Sequence, residues 1–539
     1  MEKSTSFDKE KDSYRGSKIT VTESSLDEDD RELEALGYVP SFKREFSNLA
    51  TISFAFSIMG LVSSIATTFN TPLLLGGPAS VVWCWILGAS MCFTLGASIA
   101  EIVSAFPTCG GLYTASAQLC PPKRRAIVGW VVGWLNILGQ VAGLSSTEFG
   151  LANMIWAAVV IGKDGNFTIT AGKTVGLFAS LLIVHGILNS VSTRTLARFT
   201  KGFVFVNLGT TFLIIITLLA TTPRSEMHKA SYVFGSGGVV NQTGGWNTGI
   251  AFLFGLLSVQ WTVTDYDATA HISEEVKRAA YAAPSAIFIA VIGTGLIGWL
   301  LNIVLILCSG DLSTLQASTL VSGSAFLEIM VLRMGKTGAL ILWVPVCMTA
   351  FFVCQTALQA CSRTVYAFSR DHGLPDGGLF GRVSKSTSTP LPAIWATTLF
   401  SILPGLLDLA SPVAANAIFA LTAMALDLSY IIPIFLRRFY RKHPEVIFKP
   451  GPFYMGDGLL GWAANITCIL WTLFVSVIFA LPTVLPVTKT NMNYAAVITS
   501  SVIILSGIWY ILGAHRHYKG PRSNLDASKR GMQTLIRSV

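Results

Sequence analysis

The apolar positions of this chain neither alternate nor form a single stripe; they run on. "AFSIMGLVSSIATTF" and "SAIFIAVIGTGLIGWLLNIVLIL" are typical. Such runs repeatedly reach roughly 20 residues, the length that crosses a bilayer core of about 30 Å. Backbone groups in lipid are satisfied only in helices or closed barrels, and long uninterrupted runs require helices. Spans are predicted near 47–68, 79–104, 127–160, 174–191, 202–221, 247–270, 285–308, 338–362, 391–409, 414–436, 459–482 and 492–514. The fold class is therefore an all-α polytopic membrane protein of about twelve transmembrane helices. Residues 1–46 are polar and charged and read as a disordered cytoplasmic tail. Residues 47–514 form the transmembrane domain, whose first helix serves as the insertion signal, and 515–539 form a second cytoplasmic tail.

Composition agrees. Of 539 residues, 52% are hydrophobic and 12% charged, where a soluble domain carries roughly 25% charged residues. The net charge of +9 raises the question of nucleic acid, but its distribution answers it. With the amino terminus inside, loops and tails on that side hold 31 of the 38 Lys and Arg, and the other side holds 7. That asymmetry is a topology signal. It places both termini in the cytoplasm of a multi-pass protein and sets nucleic acid aside. "NFT" at Asn166 and "NQT" at Asn241 fall in outer loops, as glycosylation acceptors must. The nine cysteines form no CxxC pair and read as buried free thiols. His515-x-His517 has no third ligand in view, so no metal is expected. No nucleotide motif or nucleophile–base pair stands out, so neither an enzyme nor a cofactor is expected.

Helix-breaking and small polar residues interrupt two spans. In the first, Ser57, Gly60, Ser63 and Ser64 lie near mid-depth; in the sixth, "FGLLSVQWTVTDYD" sets Gly255, Ser258, Gln260, Thr262 and Thr264 around Trp261. Tight packing of small residues is one reading. An unwound segment lining a cavity is the other, since irregular backbone at that depth is tolerated only there. The two segments lie five spans apart, the spacing of paired broken helices in transporters built from two inverted five-helix repeats. Half-helix N-termini would face a substrate anion and freed carbonyls a cation, a site suited to a zwitterion.

A charged side chain at the bilayer centre costs at least about 2.5–3.5 kcal/mol on insertion scales. Glu148 in "GLSSTEFGLANM" and Asp427 in "TAMALDLSYIIP" are the acids deepest in their runs. Each is either a structurally satisfied carboxyl or a proton-coupling group, and Asp265 and Asp267, where the sixth helix emerges from its break, join them as candidates. His185 reads as a satisfied structural histidine. Glu101, Glu274 and Lys277 lie at cytoplasmic helix ends and are inner-gate candidates, with Glu275 beside them.

Three motifs make the chain recognisable. "AEIVSAFPTCGGLY", "HISEEVKRAAYAAP" and "SRTVYAFSRDHGLP" resemble, in order, the cytoplasmic-end signatures after helices two, six and eight of the amino acid–polyamine–organocation superfamily. "ALGYVPSFKREFS", "GWLNILGQVAG", "DGNFTITAGK" and "FKPGPFYMG" resemble its fungal amino acid/choline transporter family, the GABA permeases included. The resemblance runs from about Glu34 to about Asn524. It implies a secondary active transporter with a five-plus-five inverted repeat, broken helices 1 and 6, and two added helices.

Carried over residue by residue, Ser57, Ile58, Gly60 and Ser63 match the broken first helix and would hold the substrate carboxylate. Gln260 and Thr262 lie where helix-six carbonyls meet the amine, and Trp261 where related carriers place an aromatic gate. Asp265 stands where the family motif has glycine. Some bacterial relatives carry a lysine in the fifth helix that stands in for sodium; here Asn207 falls at that point. The expected partners are a small amino compound, the bilayer, and the proton as coupling ion. Alternatives are a choline or polyamine permease, or a nutrient sensor with little transport.

Overall fold

The computed structural model describes residues 28–409, 412–488 and 491–521, the side chains of 412–416 excepted. Among these, every regular element is helical. Eleven helices are long and apolar enough to cross a membrane. In chain order they are Asn48–Leu75, Pro78–Ala105, Pro122–Gly162, Ala171–Asn189 and Thr193–Thr221, then Ala279–Leu307, Ala325–Arg370, Leu391–Leu409, Ala417–Phe439, Leu459–Ala480 and Ala495–His517. The expected sixth span lies between the fifth and seventh as three short pieces, Thr248–Leu253, Leu256–Val263 and Ala268–His271. No single piece is long enough to cross, yet together they fill the sixth position, so the twelve-span order holds with the sixth span in pieces.

A helix from Ala325 precedes the eighth span and meets it at Gly335, whose φ of +72° and ψ of 166° are not helical, so the span itself runs from just past Gly335, close to the expected 338. Its other end reaches Arg370 and carries Arg363 into the protein interior. No basic residue was expected inside a span; Arg363 is tolerated because Glu275 meets it.

Part of the expected amino-terminal tail is folded. Residues 1–27 lie outside the described residues, but Glu28–Ala35 is a helix, and Leu33, Tyr38, Phe42 and Phe46 are buried. Phe46 exchanges backbone hydrogen bonds with Glu275 and Lys277. Arg44 donates to the carbonyls of Ser273 and Val276 and to Asp30. The apolar side chains have a surface to cover, the basal ends of the first, sixth and eighth spans, which overrides the polar composition. The face carrying this segment is called basal below. At the other terminus Tyr518 is buried against Trp130 and Phe368, so residues 515–521 also pack; 522–539 lie outside the described residues.

Candidate functional site

The first span breaks at Gly60. Asn48–Met59 ends there, Gly60 takes φ +57° and ψ 42°, and Leu61–Thr68 continues. The left-handed region is routine for glycine alone, and a Cβ here would stand 2.2 Å from Cγ2 of Val353. Ser64 Oγ donates to the Met59 carbonyl at 2.9 Å, and Ser63 Oγ donates at 3.0 Å to the Gly60 carbonyl, which also accepts the Ser64 N–H, so both hydroxyls bond at the break. The first N–H groups of Leu61–Thr68 have no intrahelical acceptor, and that end carries partial positive charge. Ser57 and Ile58 stand buried just before the break, with Ser57 Oγ unpartnered among the described residues.

The sixth span is interrupted twice, by a turn at Phe254–Gly255 and by a longer break that begins at Thr264. Ser258, Gln260, Trp261 and Thr262 occupy regular helix, Leu256–Val263, and Thr262 Oγ1 bonds back to the Ser258 carbonyl at 2.7 Å. Chain irregularity falls on residues 264–267, with Asp265 at φ +63°. Hydroxyls that bond to the preceding turn stay compatible with helix, whereas aspartate tolerates the left-handed region better than bulkier residues. Asp265 thus adopts the backbone that the family's glycine would supply. The carbonyls of Gln260–Val263 end at this break, the last four of their helix and without intrahelical donors.

Around these breaks the predicted residues separate into groups. Gln260 turns toward the tenth and eleventh spans: its Nε2 donates to Asp427 Oδ2 at 2.6 Å, and its Oε1 accepts from Trp471 Nε1 at 3.0 Å. Trp261 turns the other way, donating to Ser146 Oγ at 3.0 Å, its ring 5.0 Å from that of Phe419. Thr68 and Ser258 hydroxyls meet at 2.7 Å and tie the two broken spans together. Phe419 and Thr68 also line a cavity of about 500 Å³ with Thr67, Asn70, Asn153 and Asn493, and among the described residues no Asp, Glu, Lys or Arg lines it.

The four candidate acids are in different situations. Asp265 is half-buried beside Gly143. Asp267, the other candidate where the sixth helix emerges from its break, is fully buried and saturated: Oδ2 accepts from Asn136 at 2.7 Å and faces His271 Nε2 at 3.0 Å, and Oδ1 accepts from Tyr430 at 2.7 Å. It anchors the broken sixth span to the third and tenth. Asp427 Oδ1 is buried with no partner among the described residues. Glu148 Oε1 lies 2.7 Å from Nδ1 of His185, both side chains fully buried, and His185 Nε2 reaches the Phe351 carbonyl. The sequence did not reveal that these two residues form one pair.

The basal face is closed by ion pairs. Glu275 meets Arg363 at 2.7 Å, Glu274 meets Arg370 at 3.1 Å, and Glu101 meets Arg437 at 3.0 Å. Lys277, an expected gate residue, is exposed, and its backbone N–H, not a side-chain ion pair, is what holds it to Phe46. The partners come from spans eight and ten and not from the loop cations nearest in sequence. Arg370 also lies over the Tyr38 ring, and Tyr38 and Tyr113 both donate to Asp371. Outside the membrane, Asp457 gathers Arg437, Arg438 and Arg441. Burial alone would raise its carboxyl, but hydrogen bonds and charge from Arg437 and Arg441 outweigh that and hold it below the usual aspartate value.

Two broken helices tied together beside a polar cavity, with buried ion pairs on the basal face, mark the class: a helical membrane transport protein. The chain belongs to the amino acid permease family, whose model matches residues 46–503. It is 44% identical over 512 residues to an uncharacterized amino-acid permease of Schizosaccharomyces pombe, covering 94% of this chain and 92% of that protein. It is 34% identical over 509 residues to the GABA-specific permease of Saccharomyces cerevisiae, covering 92% and 86%. Among solved structures, a manganese transporter of Eremococcus coleocola matches with a TM-score of 0.52 at 14% identity, over 87% of this chain and 94% of that one. That likeness shows the shared fold.

Proposed function

We propose that the protein imports a small amino compound, an amino acid or GABA, by proton symport across the plasma membrane, with both termini in the cytoplasm. The carrying observation is the pair of breaks. The N-terminal end at Gly60–Ser63, with the free Ser57 hydroxyl, presents donors to a carboxylate, and the terminal carbonyls of Gln260–Thr262 present acceptors to an amine. Trp261 packs against Phe419, which lines the 500 Å³ cavity, as one member of a closing aromatic pair would. Choline has no carboxylate for the Gly60 end, which disfavours it as substrate.

For coupling, Asp427 and Asp265 are the assigned groups. Asp427 is bonded to the helix that carries Trp261, and its free Oδ1 is a place for a proton; Asp265 sits within the break itself. Asp267 is fully committed to its three donors and serves as an anchor. Glu148, paired with His185, is assigned a structural role. Glu101 and Glu274, with their arginines, form the inner gate.

Uptake of labelled GABA, competed by amino acids, choline and polyamines at two pH values in cells expressing the protein, tests this reading. Competition by GABA or amino acids, stronger uptake at the lower pH and little effect of choline are expected. No accumulation above control of any of these compounds overturns it.

A further inference from the structure

At the basal end of the last span, against the turn that follows the eighth, lies a second cavity of about 430 Å³. Its ionisable lining is His372 from the turn and Arg516 and His517 from the end of the span, and among the described residues no carboxylate lines it. All three side chains are exposed. The two nearest acids in sequence are engaged elsewhere: Asp371 accepts from Tyr38 and Tyr113, and Asp376 accepts from Ser369 and from the N–H groups of Gly378 and Phe380. Trp509 and Leu374 supply an apolar wall.

The surface leading to this cavity is built for acyl chains. Ile504, Leu505, Ile508, Ile511 and Leu512 project from the same span, the last two 74% exposed. A contiguous apolar face of this kind on a membrane protein is covered by lipid. The span loosens into a π-turn at Tyr510–Ala514 directly beside the cavity, a deformation common at functional sites. Acyl chains would therefore end where the cations begin, at headgroup depth.

We propose that this cavity binds the headgroup phosphate of an anionic phospholipid, with Arg516, His517 and His372 as donors and the acyl chains lying along Ile504–Leu512. A basic pocket at the end of a lipid-facing helix attracts an anionic headgroup, and a choline or ethanolamine cation would meet Arg516 unfavourably. His372 follows Arg370 and Asp371 in the chain, so a bound headgroup bridges the last span to the end of the eighth, where the basal seal is made.

Native mass spectrometry of the full chain, taken from vesicles of phosphatidylcholine mixed with phosphatidylserine or phosphatidylinositol, tests this site. The native chain should retain an anionic lipid that Arg516→Ala holds about fivefold more weakly, the loss expected for one cation at an anionic surface. His372→Ala with Arg516→Ala should abolish retention, and Arg516→Lys should keep most of it. Equal retention by the native chain and the double variant, or equal retention of phosphatidylcholine, overturns the proposal. Displacement by added inorganic phosphate would show a free-anion site and overturn the lipid assignment. If the double variant fails to fold, Arg516→Ala alone decides, since that side chain is exposed and outside the transport pathway.

Discussion

Gln260 donates from Nε2 to Oδ2 of Asp427 at 2.6 Å, joining the broken sixth span to the unbroken tenth inside the bundle. The same amide receives Trp471 on its oxygen, so one side chain holds a carboxylate and an indole in place. Trp261, its neighbour in sequence, packs against Phe419 of the same tenth span, and Phe419 lines the cavity. A change at Asp427 therefore reaches Trp261 through a single helical turn. Asp427→Asn should keep the bond to Gln260, preserve folding and exchange, and abolish accumulation against a gradient. Counterflow set beside net uptake in vesicles checks this: loss of both together contradicts a coupling role.

Gly60 tolerates no side chain. The left-handed backbone costs roughly 1–2 kcal/mol for an L-residue, and the new Cβ would press on Val353. Gly60→Ala should lower maximal uptake at least tenfold while leaving the amount of protein at the membrane largely unchanged. Surface quantitation beside initial uptake rates reads this. Unaltered uptake would mean the break is not at the transport site.

Trp261→Phe retains the ring against Phe419 but deletes the hydrogen bond to Ser146. A neutral hydrogen bond contributes about 0.5–1.5 kcal/mol, so the apparent KM should rise severalfold, and Trp261→Ala should raise it further. Concentration dependence of initial uptake rates distinguishes the two.

Much of this was legible in the sequence, and the rest was hidden for identifiable reasons. Span positions follow from the apolar runs, because the bilayer imposes length directly. The first break was visible at Gly60 because only glycine fits its backbone. The main break of the sixth lies at the far edge of the expected stretch: Thr262 bonds back within its helix and Ser258 bonds to Thr68 of the first span, while the chain leaves the helix at Thr264 and turns left-handed at Asp265. Glu148–His185 and the basal pairs of Glu274 and Glu275 join residues far apart in the chain, and no local pattern encodes them. The folded stretch from Glu28 to Phe46 escaped because its polar composition masked Tyr38, Phe42 and Phe46.

The basal seal can be loosened. Glu274 accepts from Arg370 and also from the backbone N–H of Cys109, so the cysteine lies directly behind the pair. Arg370→Ala should speed reaction of Cys109 with a membrane-impermeant thiol reagent applied from the basal side, with Cys109→Ser as the control. An unchanged rate would show that the pair does not close the pathway.

Acid should weaken the cluster at Asp457. Its carboxyl is held below the usual value in the folded protein by Arg437 and Arg441. The stabilisation is thus complete above the ordinary aspartate pKa and is lost as pH falls through the folded value. Thermal melting of the native chain and Asp457→Asn should differ at neutral pH and converge in acid.

The most direct measurement follows protons and substrate together. In proteoliposomes with the protein at known density, a pulse of GABA or an amino acid should acidify the lumen, and uptake should collapse when the pH gradient is dissipated. Asp427→Asn should abolish the acidification. Substrate accumulation that persists without a proton gradient, or a pulse that moves no protons in the native protein, would contradict proton-coupled import.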